Sequence, residues 1–265
     1  MASTLYLFFF TSPILNPKKM ERLFEGKVVL VTNAASAVGV AVAFSFAANG
    51  AFVVVSDIRD NGTANKIKAN GGNAVFIKSN VCKAHECKRL VEEIASMYGR
   101  IDIAFNNANI VDYTINMIDT HLVGIIKLIA PKSDSVADCV KYEIALMRQH
   151  QGGVIINLSS LTGSISLTPL YTGLSHKQFV SGIQNEMFEN SDKAIRINFI
   201  VPGFIDGAVP DSFNLKSKRE ISFGHKKAGT KTPEQVAELA MWLSSEKAPF
   251  STRDSFPEYA GYMAN

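Results

Sequence analysis

The stretch that decides the fold is KVVLVTNAASAVGVAVAFSFAANGA, residues 27–51. A run of β-branched and apolar residues enters a short turn and continues directly into an apolar helix pattern. A strand, a tight turn and a helix in this order begin a nucleotide-binding unit, because the first turn of the helix offers unpaired N–H groups to a phosphate. The turn has only one glycine, Gly39, where such turns commonly have three. The stretch therefore predicts a dinucleotide-binding fold with an altered turn.

Five further runs have the composition of buried strands. They are short, rich in β-branched residues and apolar throughout, which suits parallel strands covered by helices on both faces. They are AFVVVSD (51–57), NAVFIKS (73–79), IDIAFNN (101–107), GVIINLSS (153–160) and IRINFIVPG (195–203). Helix patterns separate these runs, so we expect an α/β fold: a Rossmann-type doubly wound parallel sheet in a single domain over 23–265.

Two of the helix patterns can be placed residue by residue. The run TPEQVAELAMWLSS (232–245) starts with Thr232 as N-cap, Pro233 at the first helical position and Gln235 completing a capping box. The other helix presents an apolar stripe with a spacing of three or four residues, formed by Val136, Cys139, Val140, Ile144 and Met147. Both patterns predict helices that pack against the sheet.

Composition and charge exclude several classes of protein. The net charge of +3 is mild and no Lys/Arg-rich run occurs, so nucleic acid is not an expected partner. The three cysteines, Cys82, Cys87 and Cys139, are an odd number and scattered, so we expect no disulfide and a reducing, cytoplasmic location. Cys82, His85 and Cys87 lie close in the chain, but without a second ligand cluster we interpret them as helix-start and packing residues, not a metal site.

The N-terminal residues 1–22 form an expected loosely ordered tail. The apolar run Leu5 to Phe10 is too short to span a membrane and has no basic segment before it, and Pro13 and Pro17 follow it. A plastid-targeting segment is the alternative interpretation. No other stretch resembles a membrane span.

Four motifs in order resemble those of the short-chain dehydrogenase/reductase family, over roughly residues 24–262. TNAASAVG (32–39) is similar to the family's TGxxxGxG turn, and NNAN (106–109) to its NNAG strand end. INLSSLTG (156–163) is similar to its serine-bearing strand, and RINFIVPG (196–203) to its late strand and PG turn. CVKYEIALM and YTG are most similar to plant enzymes of specialised metabolism, among them nepetalactol-related short-chain dehydrogenases, some of which cyclise rather than oxidise.

The resemblance implies an NAD site built on the first turn. The family's three glycines correspond to Asn33, Ala37 and Gly39. Asparagine tolerates a positive φ, so Asn33 can keep the turn. The Cβ of Ala37 would point toward the pyrophosphate, so we expect weakened binding. The other expected cofactor-binding residues are Ser36, Val38, Ile58, Asn80, Val81, Asn107, Lys177, Pro202, Gly203 and Ile205.

Asp57 ends the second strand, where a carboxylate accepts hydrogen bonds from ribose hydroxyls and repels a 2′-phosphate. It therefore favours NAD over NADP. Arg59 nearby is the counterargument, although a solvated side chain explains it as well. The alternative interpretation of Asp57 is an N-cap for the next helix.

The resemblance implies a catalytic set of Ser160, Tyr171, Lys177 and Asn157, in which the family's pattern is broken. The family has Y-x-x-x-K, whose side chains share one helix face. Here Tyr171 and Lys177 are six residues apart, and Gly173 occupies the position four before Lys177. Either Tyr171 reaches in from a preceding loop or the tyrosine function is lost, and in another register His176 is the basic residue. The family's asparagine corresponds to Lys132.

Three functions are compatible with this damaged motif. The preferred one is a non-redox cyclase or isomerase of a reactive enol or dialdehyde terpenoid, which needs oxyanion donors and shape. The second is an NAD-dependent alcohol or lactol dehydrogenase that uses Tyr171, and the third is a non-catalytic cofactor-binding paralogue. The resemblance also implies a homodimer or homotetramer that packs helices around 135–150 and 173–189, with a lid over about 206–231.

Overall fold

The computed structural model describes residues 22–107, 138–158, 194–202, 205 and 231–258. These residues form one seven-stranded parallel sheet with the strand order β3-β2-β1-β4-β5-β6-β7. The order reverses between β1 and β4, which is where open α/β sheets bind ligands. The strands are β1 (Val28–Thr32), β2 (Phe52–Asp57), β3 (Asn73–Lys78), β4 (Ile103–Asn107), β5 (Gly153–Leu158), β6 (Ile195–Pro202) and β7 (Ser255–Glu258).

Five helices of the described residues cover the two faces of this sheet. They are α1 (Ala37–Ala48), α2 (Thr63–Ala69), α3 (Ala84–Tyr98), α4 (138–148) and α5 (Pro233–Ser244). The six predicted strands are confirmed, and so is the Rossmann-type parallel sheet. The seventh strand, β7, was not predicted, because it is a four-residue edge strand containing Pro257. No helix within the described ranges is long and apolar enough to cross a membrane.

Side chains alternate between the two faces of each strand, so each face has its own core. On one face Val29, Phe105 and Ile156 pack with Phe46 of α1 and Leu243 of α5. We call this the α1 face. On the other, Leu30, Ala104 and Ile155 pack with residues of α3 and α4, and we call it the α4 face. Covering both faces explains why the strands are apolar throughout rather than alternating.

The two helices placed from sequence form as expected. In α4, Cys139, Val140, Ile144 and Met147 are buried, which confirms the predicted stripe over its described part. At the start of α5 the capping box is present: the Thr232 hydroxyl accepts from the N–H of Gln235 at 3.4 Å. The Gln235 side chain accepts from the N–H of Thr232 at 3.0 Å in return.

Asp102 ties β1 to β4 at the amino edge of the sheet. Its carboxylate accepts a hydrogen bond from the backbone N–H of Val28 at 2.9 Å. Arg100 forms a close ion pair with it, and the Nζ of Lys27 lies 3.6 Å away. Because β1 and β4 flank the point where the strand order reverses, this contact fixes the two strands whose opposite ends carry the candidate site.

Candidate functional site

The first turn keeps the shape of a glycine turn without its first glycine. Asn33 has φ 46°, so the predicted positive φ at this residue is confirmed. A Cβ added at Gly39 would lie 2.6 Å from the carbonyl oxygen of Asn33 and 2.7 Å from the Cα of Ala34. The turn therefore packs directly on α1, and Gly39 is the glycine that this packing requires.

The N-terminus of α1 is open to an anion. Ser36 is the N-cap, and its hydroxyl accepts from the N–H of Gly39 at 3.1 Å. Within the described residues, the N–H groups of Ala37 and Val38 have no hydrogen-bond acceptor. Ala37 is exposed at this end of the helix. The positive end of a twelve-residue helix with unpaired N–H groups fits a dinucleotide phosphate.

Asn107 at the end of β4 holds this turn in place. Its backbone N–H donates to the hydroxyl of Thr32 at 3.1 Å. Its side-chain amide donates to the carbonyl of Asn33 at 3.1 Å and to the hydroxyl of Ser36 at 2.7 Å. One buried side chain thus joins the two central strands to the turn. The sequence predicted Asn107 as a cofactor-site residue. It did not predict a role for Thr32, which was named only as the first residue of TNAASAVG (32–39).

Asp57 at the end of β2 approaches the same turn from the other side. One carboxylate oxygen accepts from the N–H of Ala35 at 2.9 Å, and the other accepts from the N–H of Ile58 at 2.7 Å. A carboxylate has about four acceptor positions, so capacity for ribose hydroxyls remains. The alternative role as a helix N-cap is wrong, because the N-cap of α2 is Gly62. Ile58 and Arg59 are exposed beside it.

The loop after β3 is fixed by a short polar network. The Asn80 side chain accepts from the N–H of Cys82 at 3.0 Å, and its backbone N–H donates to the Glu86 carboxylate at 2.7 Å. That backbone hydrogen bond lowers the pKa of Glu86. Asn80 and the neighbouring Val81 are half-buried. The network holds both residues at the carboxyl edge, next to the end of β2.

The remaining described cofactor candidates lie at the same edge. Pro202 ends β6, and Ile205 is buried and forms an isolated parallel bridge with Lys231. Ser160, Tyr171, Lys177 and Gly203 lie outside the described residues. So do Lys132, Gly173, His176, the tail over 1–21 and the lid over 206–230.

Cys82 and Cys87 differ in their exposure to solvent. Cys82 is exposed, whereas Cys87 is buried against the sheet. His85 is exposed in the first turn of α3. The described ranges contain no group of three or more His, Cys, Asp or Glu residues that could hold a metal ion.

Asn157 lies inside the α4 face rather than at the open edge. It is 2% exposed and faces the same side of the sheet as Asn106, its register partner on β4. The Asn106 amide donates to the Glu143 carboxylate of α4 at 2.9 Å. In the described part of the chain both side-chain polar atoms of Asn157 are without a partner. Its predicted catalytic role stays a prediction.

Glu143 is a buried carboxyl that sequence analysis missed. Burial raises its pKa to about 7, and the hydrogen bond from Asn106 opposes that rise. A signal was available, since Glu143 falls between Val140 and Met147 on the apolar stripe of α4. A charged residue type on such a stripe indicates a paired or functional group.

Comparison with known proteins agrees with this geometry. A family model described as enoyl-(acyl carrier protein) reductase matches residues 33–262. The chain is 30% identical to a cyclohexanol dehydrogenase from Acinetobacter sp. (strain SE19), over 93% of this chain and 99% of that protein. It is 29% identical to a secoisolariciresinol dehydrogenase from Forsythia intermedia, over 91% of this chain and 89% of that protein.

Solved structures share the fold. A short-chain type dehydrogenase/reductase from Mycobacterium marinum superimposes with a TM-score of 0.82 at 24% identity, covering 92% of this chain and 98% of that one. A putative NAD(P)-dependent gluconate 5-dehydrogenase from Beutenbergia cavernae, with bound NADP, gives a TM-score of 0.80 at 21% identity, covering 92% and 100%. With the family match over 33–262, these findings lead to one assignment. The chain belongs to the short-chain dehydrogenase/reductase family of NAD(P)-dependent oxidoreductases.

Proposed function

We propose that this protein is an NAD-dependent alcohol dehydrogenase. The main observation behind the proposal is the hydrogen bonding of the first turn: Asn107 bonds to Asn33 and Ser36, and two N–H groups at the start of α1 remain open to a phosphate. The family match over residues 33–262 supports the oxidoreductase class for a protein with this cofactor site. The turn has lost two glycines in sequence, and its remaining contacts still suit a dinucleotide.

We assign the cofactor as NAD because of Asp57. Its carboxylate is already oriented by the N–H groups of Ala35 and Ile58, so it is held at the end of β2 with acceptor capacity left for ribose hydroxyls. An added 2′-phosphate would meet this negative charge. The exposed Arg59 belongs to the same loop and could offset part of that repulsion, so the expected preference is moderate.

The chain's own residues have two tasks in alcohol oxidation. A bound NAD would supply the acceptor for the hydride of the alcohol carbon. The substrate hydroxyl must lose its proton to a base, which we assign to Tyr171 with Lys177 lowering its pKa. Ser160, two residues beyond the end of β5, would donate a hydrogen bond to the substrate oxygen as charge develops on it.

For the substrate class we propose a cyclic secondary alcohol. The relatives named above include a cyclohexanol dehydrogenase and a secoisolariciresinol dehydrogenase. We prefer the dehydrogenase interpretation to the non-redox cyclase of terpenoid enols, because the relatives named above are dehydrogenases. Assembly as a homodimer or homotetramer remains part of the proposal.

The test is NADH formation from a panel of cyclic alcohols that begins with cyclohexanol, with NAD and NADP in parallel. We expect NADH to form, and Ser160→Ala to reduce kcat/KM about a hundredfold or more. Tyr171→Phe should abolish turnover, whereas Phe250→Ala, on a side chain 94% exposed, should leave it unchanged. Conversion of a terpenoid enol without NADH formation would replace the proposal by the cyclase. If neither activity appears while NAD binds, the chain is a cofactor-binding paralogue.

A further inference from the structure

Two buried cysteines from different helices meet on the α4 face. The sulfur atoms of Cys87 on α3 and Cys139 on α4 are 2.6 Å apart. Cys87 is 0% exposed and Cys139 is 3% exposed. A disulfide bond is about 2.05 Å long, so a small side-chain movement would bring the two sulfurs to bonding distance. They are 52 positions apart in the chain, and their helices lead into neighbouring parts of the sheet.

The surroundings of the pair favour the protonated thiols over the thiolates. The thiol of Cys139 donates toward the sulfur of Cys87, and that of Cys87 donates to the carbonyl of Val81 at 3.3 Å. The hydrogen bond with Cys87 raises the pKa of Cys139, and burial and the nearby carboxyl of Glu143 raise it further. A protonated thiol is a slow nucleophile, so we expect the pair to react slowly and only with a small oxidant such as hydrogen peroxide that enters the core.

We propose that Cys87 and Cys139 are a redox modification site, which a peroxide converts into a disulfide joining α3 to α4. One sulfur loses its proton and attacks a peroxide oxygen, giving a sulfenic acid and water. The second sulfur attacks the sulfenic sulfur, forms the S–S bond and expels hydroxide, which leaves as water with the second thiol proton. Two thiols and one hydrogen peroxide thus yield one disulfide and two waters.

This site differs from the third cysteine. Cys82 is exposed at the end of the loop before α3, five positions from Cys87, and it reaches solvent without opening the core. We expect Cys82 to react faster with added reagents but not to cross-link within the chain.

The disulfide should restrict the unfolded chain across its long loop, so the oxidised protein should melt on the order of 5–10 °C higher than the reduced protein.

The sequence makes the cross-link directly readable, because trypsin places each cysteine in its own peptide: SNVCK (79–83), AHECK (84–88) and SDSVADCVK (133–141). The folded protein is treated with hydrogen peroxide, and remaining thiols are alkylated in denaturant before digestion and mass spectrometry. We expect 84–88 joined to 133–141 with the loss of two hydrogens, and 79–83 outside the cross-link. The same cross-link and the same rise in melting temperature should appear in Cys82→Ser and be absent in Cys87→Ser.

The result that would overturn the proposal is recovery of 84–88 and 133–141 as separate alkylated or over-oxidised peptides while 79–83 is oxidised. Cross-links that include 79–83 as often as the other two peptides would also overturn it, since they would show oxidation of an opened chain. Wild type and Cys82→Ser decide the matter even if Cys87→Ser fails to fold.

Discussion

The buried polar side chains on the two faces of the sheet differ in their hydrogen bonding. On the α1 face Asn198 is fully buried, and its side chain both donates to the carbonyl of Ser251 at 2.8 Å and accepts from the N–H of Asp254 at 3.2 Å. On the α4 face Asn106, Glu143 and Asn157 retain atoms without partners within the described residues. Among the described residues, the buried side-chain polar atoms without a hydrogen-bond partner therefore include groups of the α4 face, whereas Asn198 on the α1 face is paired.

The α1 face therefore provides packing that the turn requires, whereas the α4 face contains polar groups that packing does not require. The α1 face supports the turn through direct backbone contact, because Gly39 of α1 packs on Asn33 and Ala34. The α4 face holds a carboxyl and two thiols where apolar side chains would pack as well. A buried polar atom without a partner costs about 1–3 kcal/mol, so the polar groups of the α4 face are where substitutions should change stability in a way that apolar packing alone does not.

The largest expected effect is on the α1 face. Phe46→Ala removes a fully buried ring that packs edge-on against Phe24, with centroids 4.8 Å apart. The free energy of unfolding, measured by urea denaturation, should fall by about 3–5 kcal/mol. Phe250→Ala, at 94% exposure, is the control and should change it by less than about 0.5 kcal/mol. A loss under about 1 kcal/mol for Phe46→Ala would mean that this face is loosely packed.

The next effect tests the α4 face through pH. Burial raises the pKa of Glu143 to about 7, so the folded state binds more protons than the unfolded state above the ordinary carboxyl pKa. Stability should therefore fall as the pH rises through that window, by up to about 3 kcal/mol, and the loss should be complete above about pH 8. Glu143→Gln should remove this fall and be the more stable protein at alkaline pH.

The measurement is the difference in free energy of unfolding between Glu143→Gln and wild type from about pH 5 to about pH 8. The other titrating groups cancel in this difference. Glu93→Gln, on a side chain 44% exposed, is the matched control and should give a difference that does not depend on pH. A pH-independent difference for Glu143→Gln as well would show that the carboxyl is charged in the folded protein.

A smaller pair of changes separates packing from cofactor contact within the first turn. Gly39→Ala would place its Cβ 2.6 Å from the carbonyl oxygen of Asn33, and we expect it to cost about 1–3 kcal/mol of stability and to weaken NAD binding. Ala37→Gly removes an exposed methyl from the expected path of the pyrophosphate and should tighten NAD binding. Urea denaturation and NAD titration of both variants measure the two quantities. If Gly39→Ala and Ala37→Gly changed both stability and NAD affinity equally and in the same direction, packing and cofactor contact would not be separable at these two positions.

Much of the fold was readable from the sequence because its signals are local. Runs of buried β-branched residues predicted β1 to β6, and the capping box at Thr232 predicted the start of α5. β7 is too short, and contains a proline, so its apolar pattern is weak. Its place depends on pairing with β6, which is a contact between distant segments.

The candidate site was only partly readable, since its contacts join residues far apart in the chain. The positive φ of Asn33 followed from residue type alone. The hydrogen bond from Asn107 to Ser36 joins residues that are 71 positions apart, and no local sequence pattern predicts it. Glu143 was not predicted, because an apolar periodicity does not mark the polar residue that lies on the same face of the helix. The spacing of Tyr171 and Lys177 lies outside the described residues and stays a prediction.

We propose above all that the altered turn between β1 and α1 still holds NAD. Calorimetric titration of the purified protein with NAD and with NADP tests it most directly. We expect saturable binding of one NAD per chain, with a lower affinity for NADP because of the Asp57 carboxylate. No binding of either dinucleotide, or tighter binding of NADP, would contradict the account.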